Sequence, residues 1–157
     1  MQIALDVLAT VAVLSTGVIF GTDVLGAVVM RPALAEIDDY GLVQVTGRTH
    51  RYGDSRLPFV GILSVVSALA TALVAFVAGE VAAGVIAAAG LAPLLIWLLL
   101  FARISAPINR VLTAAALADE TPANARQLQA RWDSIINLRA VLQGLAVAAF
   151  CVAISVS

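Results

Sequence analysis

Residues 57–104 read LPFVGILSVVSALATALVAFVAGEVAAGVIAAAGLAPLLIWLLLFARI, and from Leu57 to Ala102 the only charged side chain is Glu80. A helix needs about 20 mostly apolar residues to cross a hydrocarbon layer about 30 Å thick. This stretch holds two such runs, 57–78 and 81–104, with only Gly79-Glu80 between them. So short a connection makes them an antiparallel helical hairpin, and Pro93 is expected to bend or relax its second arm. Backbone inside hydrocarbon must satisfy its own hydrogen bonds, so the runs are helices.

Working outward, two more runs qualify. Residues 3–30 are interrupted only by Asp6 and Asp23, and residues 138–156 only by Arg139, Gln143 and Gly144. The expected fold is all-α, a transmembrane four-helix bundle forming a single integral membrane domain over residues 1–157, with an interfacial helical segment in the first long loop. Ala33-Leu34-Ala35 resembles a signal-peptide cleavage site. The run before it is about twice the length of a signal h-region and has no basic residue ahead of it, so it is read as a retained helix.

Composition agrees. The 157 residues are 62% apolar and 12% charged, against about 45–50% and about 25% for an ordinary soluble domain. One cysteine, Cys151, supports no disulfide framework. A net charge of −1 argues against nucleic acid as a partner. There is no Lys, and all nine Arg fall in 31–56 and 103–139. The positive-inside rule then puts both long loops in the cytoplasm and both termini outside, in the plasma membrane.

The loops carry structure of their own. Pro32 opens a short helix over 33–39 that Tyr40-Gly41 ends or bends. Leu42, Val45 and Thr49 repeat at helical spacing, as in a segment lying on the membrane surface. Ser105-Ala106-Pro107 is expected to interrupt the third helix, which resumes over 108–118. Thr121 as N-cap and Pro122 at N1 open a last helix running to Val156, about 52 Å long. Small residues four apart offer close backbone approach: Gly17 and Gly21; Ser64, Ala68 and Ala72; Gly84, Ala88 and Ala92. They serve either the bundle or contacts within a homo-oligomer.

Polar residues within spans are costly and ask for a reason. Asp23 lies about 10 Å inside one end of the first span. It either neutralises Arg103 or Arg139, or faces a cavity and handles a proton. On the last helix Trp132, Ile136, Arg139 and Gln143 share one face, with Asp133, Asn137 and Gly144 adjoining. Arg103, Asn109 and Arg110 sit at the end of the third span, and His50, Arg51, Tyr52, Asp54 and Arg56 just precede the second. All gather at one mouth of the bundle. Snorkelling cations and an aromatic belt explain many of them; Asn109, Asn137 and Arg139 are harder to explain so. His50, the only histidine, reads as a general base or as a bystander. Without a second His or a nearby Cys, no metal or haem site is indicated. No Gly-rich nucleotide loop, HExxH or nucleophile elbow occurs, so no cofactor is expected.

Pro107-Ile108-Asn109, then Trp132, Asn137 and Arg139, resembles the "P-x-N … W-x(4)-N-x-R" pattern of the anthrone oxygenase-like membrane proteins, a family of short four-span chains. Val29-Met30-Arg31-Pro32-Ala33-Leu34 followed by Asp38-Asp39 is similar to the family's "V-M-P-x-L" run and acidic pair. The likeness spans nearly the whole chain and is sharpest from Pro107 to Arg139. This sequence departs from it in Arg31, inserted before the proline, and in Asp23, where the family is usually apolar or aromatic. The resemblance implies oxidation of an aromatic polyketide anthrone by molecular oxygen without metal or flavin. On that expectation Asn109 and Asn137 donate to an enolate oxygen, Arg139 stabilises its charge, and His50, Asp23 or Asp54 takes the proton. Trp132 stacks on the ring, with Arg103, Gln143 and Tyr52 completing the substrate site. The alternatives are an acid–base polyketide cyclase or isomerase on the same scaffold, a non-catalytic membrane binding protein, and a small transporter subunit. An enzyme requires a partly apolar cavity reaching Asn109, Asn137 and Arg139.

Overall fold

The computed structural model describes residues 1–157 as five helices and short connections, with no strand. They are α1 (Gln2–Ala35), α2 (Asp39–Arg56), α3 (Pro58–Ala78), α4 (Val81–Ala118) and α5 (Ala125–Val156). All but α2 are long and apolar enough to cross a membrane, with mean hydropathy of 2.2, 2.5, 2.5 and 1.9 over their most apolar windows. The four form a ring in which α1 packs on α3 and α5, and α4 packs on α3 and α5.

The α3–α4 hairpin turns as its sequence requires. Gly79 adopts φ 83°, its N–H donates to Phe76 O at 3.2 Å, and the Glu80 N–H donates to Ala75 O at 2.9 Å. That is a Schellman closure, which needs a left-handed residue that glycine supplies without strain.

Inside the ring, contact is made by small residues. Ala12, Ala68 and Ala146 meet Leu94 and Phe150, while Ala72, Ala87 and Ala153 meet one another. Apolar side chains gain little by leaving lipid, so close backbone approach supplies the packing. Ser64, Ala68 and Ala72 are buried as expected, but Ala88 and Ala92 are exposed. On α4 the seam follows Gly84, Ala87, Gly90 and Leu94 instead. A helix turns every 3.6 residues, so steps of four drift off the contact face. At Gly90 a Cβ would stand 2.8 Å from the Phe150 ring, so glycine is what lets α5 approach there. Gly17 and Gly21 have no neighbouring atom within 4 Å of a built Cβ, and this pair takes no part in the bundle core.

Two long helices absorb prolines rather than breaking. A wide π turn over Gly26–Met30 precedes Pro32, and another over Phe101–Ser105 precedes Pro107. Proline removes an N–H and crowds the carbonyl four residues back; a widened turn accommodates both. The expected interruption at Ser105-Ala106-Pro107 is therefore a π turn inside a continuous helix, and α1 runs on to Ala35. Tyr40-Gly41 does not end a helix. It lies in the first turn of α2, where the Asp38 side chain caps the Gly41 N–H at 2.7 Å. The last helix starts at Ala125 rather than Thr121-Pro122, and Asn124 precedes it without a side-chain cap.

The α2 register also differs from expectation. Leu42 is buried, but Val45 and Thr49 are exposed; the packed face is Leu42, Val43, Thr46 and Gly47. That face rests on Ile108, Leu112, Ala115 and Ala116 of α4, with Leu34 and Ala125 beside them. Gly47 makes the approach possible, since a Cβ there would overlap the Leu112 carbonyl, and Thr113 Oγ1 donates to Gly47 O at 3.0 Å. Asp119 accepts from Tyr40 Oη at 2.9 Å and from Gln44 Nε2 at 3.2 Å. Arg126 donates to Asp39 at 2.6 Å, to Leu34 O at 2.9 Å and to Ile37 O. So α2 is a docked cap over the Arg-rich end of the bundle.

Candidate functional site

Beneath this cap is a cavity of about 600 Å³, within the range of sites that bury small molecules. Both π turns border it, through Gly26 and Met30 on α1 and Phe101 on α4. Gly61 of α3 stands against Trp97, leaving the indole room.

Polar groups gather on one wall. The Arg139 guanidinium donates to Asp23 Oδ1 at 2.8 Å through Nη2 and to Ser105 Oγ at 2.7 Å through Nη1. Gln143 Nε2 donates to the other Asp23 oxygen at 2.6 Å. Asp23 and Arg139 are only 4% and 5% exposed. A buried charge without its partner is far costlier than a buried pair, so this contact explains both ions. It also links α1 to α5, with Ser105 drawing in α4.

A second chain of bonds lies beside it. Asn109 Nδ2 donates to Asp54 at 3.0 and 3.1 Å, and Asn109 Oδ1 accepts from Trp132 Nε1 at 3.0 Å. His50, one helical turn before Asp54, has its ring 5.6 Å from that of Trp132, and its Nε2 is buried without a partner. The Arg139 guanidinium lies 5.4 Å from the Trp132 ring centroid and 5.7 Å from that of Phe101, close enough for cation–π attraction.

The two titratable groups of α2 that line the cavity shift in opposite directions. Burial, aided by the positive charge of Arg139, lowers the His50 pKa to about 4, so the imidazole is neutral near pH 7. Burial raises the Asp54 pKa, outweighing the Asn109 hydrogen bond and the charges of Arg139 and Arg110.

Of the residues the sequence singled out, Asp23, His50, Asp54, Asn109, Trp132 and Arg139 line the cavity together. Gln143 is buried behind Asp23 and orients it. Three lie elsewhere. Asn137 is exposed and does not line the cavity. Arg103 is exposed likewise, on a different face of α4 from Ser105. Tyr52 is 53% exposed, with the guanidinium groups of Arg51 and Arg56 over its ring at 5.8 and 4.9 Å. The sequence reading missed Trp97, Phe101 and Ser105. The first two sit in an unbroken apolar run, and Ser105 was read only as a helix breaker.

The chain is thus a helical bundle of the membrane-spanning kind, with an aromatic and polar cavity under a docked amphipathic cap. Comparison with models of known protein families, with characterised proteins and with solved structures finds no match to it.

Proposed function

We propose that this protein is a membrane-embedded biosynthetic enzyme acting on a lipophilic aromatic, polyketide-like substrate, and that it works as a cofactor-independent oxygenase of the anthrone type. The observation that carries the reading is the cavity itself, in which aromatic faces and apolar walls meet a proton acceptor and amide and guanidinium donors. The motif of Pro107, Asn109, Trp132 and Arg139 supports the resemblance to the anthrone oxygenase-like family, and the Arg distribution supports a plasma-membrane orientation with this end in the cytoplasm.

We assign proton abstraction to Asp54, whose carboxylate lines the cavity. Both oxygens of Asp23 are already engaged by Arg139 and Gln143. His50, with its pKa near 4, holds a proton less well than an ordinary imidazole. Asp54 is held by one amide and is more basic than an ordinary carboxylate. It removes a ring-flanking C–H proton from the anthrone, giving an electron-rich enolate. Arg139, whose Nε has no partner, stabilises the enolate oxygen. The enolate passes one electron to molecular oxygen, and the carbon radical and superoxide combine to a peroxide anion. Asp54 returns its proton to give the hydroperoxide, and loss of water leaves the quinone carbonyl. Asn109 positions Asp54 and Trp132 rather than binding the enolate as first expected.

Oxygen uptake by membranes containing the protein, offered a simple anthrone with chelator present, tests this. Uptake should survive the chelator, fall by about 10²-fold or more in Asp54→Asn, and persist in Asn137→Ala. Uptake no greater than in membranes lacking the protein would overturn the oxygenase reading. Substrate turnover without oxygen consumption would select the acid–base cyclase or isomerase that the same base could serve.

A further inference from the structure

The cavity has a polar inner wall and an apolar outer rim. Leu25 of α1, Ile62 and Val66 of α3 and Leu98 of α4 all line it. The same four side chains face outward, at 53%, 64%, 57% and 42% exposure. They lie on spanning helices, so outward here is toward hydrocarbon. The opposite side is roofed by Thr46, His50, Gly53 and Asp54 of α2, which the Arg126 and Asp119 contacts fasten down.

The buried cation of the cavity, Arg139, is already paired with Asp23, which leaves no buried counter-ion for an anionic ligand. The unfilled polar atoms of its lining residues are His50 Nε2, Trp97 Nε1, Gln129 Oε1 and Arg139 Nε, all buried and without a partner. Such atoms ask for a hydrogen-bonding group rather than a counter-ion. A ligand crossing an apolar rim within the bilayer also cannot carry charge cheaply.

From these observations we infer that the cavity is loaded sideways from the bilayer, through the rim framed by Leu25, Ile62, Val66 and Leu98, and that its ligand is a flat, uncharged, lipid-soluble carbonyl or phenol compound whose polar end enters first. This rests on the reading of the cavity as an aromatic-substrate site and adds its route and the charge state it accepts. Trp132 and Trp97 supply ring faces along the path.

Both tryptophans of the chain line the cavity, so intrinsic fluorescence reports its occupancy. The full-length protein in phosphatidylcholine vesicles is mixed in a stopped-flow instrument with menadione, a lipid-soluble quinone, or with naphthoquinone sulfonate, its charged water-soluble counterpart. Menadione should quench saturably and the sulfonate should not. Ile62→Phe and Val66→Phe should slow loading about tenfold, a barrier higher by about 1.4 kcal/mol, with the saturating amplitude kept. Ile62→Ala should speed it, and its retained amplitude shows that the fold is intact. Equal saturable quenching by the sulfonate, or loading rates unmoved by all three rim substitutions, would overturn lateral loading while leaving the aromatic site standing. Saturable quenching by neither quinone would overturn both.

Discussion

Breaking the Asp23–Arg139 contact from either side should cost much, and breaking it from both sides at once should cost less than either. The pair is almost fully buried, at 4% and 5% exposure, and joins α1 to α5 across 2.8 Å. Arg139→Gln strands a carboxylate whose remaining donor is Gln143; Asp23→Asn strands a guanidinium that keeps only Ser105. Each should destabilise the fold by about 3–5 kcal/mol, the usual penalty for an uncompensated buried charge. Independent sites would then sum to about 6–10 kcal/mol. The double variant retains no unpaired charge, and its amides can still bond to each other, to Ser105 and to Gln143. It should lose about 1–3 kcal/mol, the range for imperfectly matched neutral partners. The expected coupling is therefore at least about 3 kcal/mol. Unfolding by SDS in mixed micelles, followed by fluorescence of Trp97 and Trp132, measures it because both indoles line the cavity beside the pair. Costs that add within about 0.5 kcal/mol would refute the argument. So would an Asp23→Asn substitution without cost, since the carboxyl would then carry no charge for Arg139 to meet.

Two further outcomes follow from the cap. Gly47→Ala should destabilise by about 1–3 kcal/mol and expose α2 to protease, because the added methyl meets the Leu112 backbone, which cannot rotate away. Gly17→Ala, with open space around it, should be neutral or stabilising; equal losses at the two glycines would refute the close approach. His50 should make the fold acid-sensitive. Its folded pKa of about 4 lies below the ordinary 6.5, so between these values the unfolded chain binds the extra proton. The stability is full above about pH 6.5 and falls as pH drops toward 4, by at most about 3 kcal/mol. His50→Gln should remove that slope from SDS-unfolding midpoints measured between pH 7 and 4.5, and an unchanged slope would assign the sensitivity to another group.

The four spans, the hairpin turn and the ion pair were legible for one reason. Each follows from a rule with few escapes: hydrocarbon excludes charge, backbone must bond to itself, and a buried Asp demands a cation. The shared face of Trp132, Ile136, Arg139 and Gln143 was legible because a helix has a fixed angular step. The same step explains the failure at Asn137. Two residues before Arg139 on one helix, it is rotated by about 160° and points away from the guanidinium; its place in a motif did not bring it into the site. Arg103 stands to Ser105 in the same relation. Hydropathy could not reveal the α2 register, since the decisive contact is at Gly47, where a missing side chain admits the α4 backbone. Nor could it reveal the π turns, whose only local sign is a proline two residues further on.

Those two kinds of failure lie at the same end of the molecule. In the half nearer Gly79 the departures are small: the α4 seam runs through Ala87 and Gly90 rather than Ala88 and Ala92, but small-residue packing and a glycine closure follow from the sequence. At the Arg-rich end the helices are widened by π turns, α2 is docked through a glycine, and half-buried Asp54 and His50 join buried Asn109 on roof and wall. Each of these departs from the cheapest way to build a bundle, and together they keep open a cavity of about 600 Å³ where straight helices with small residues would have closed it. Packing alone gives no reason to hold a carboxylate, a neutral imidazole and an arginine around empty space. That concentration of costly features at one end is the strongest physical argument that this end carries the function and the other end carries the fold.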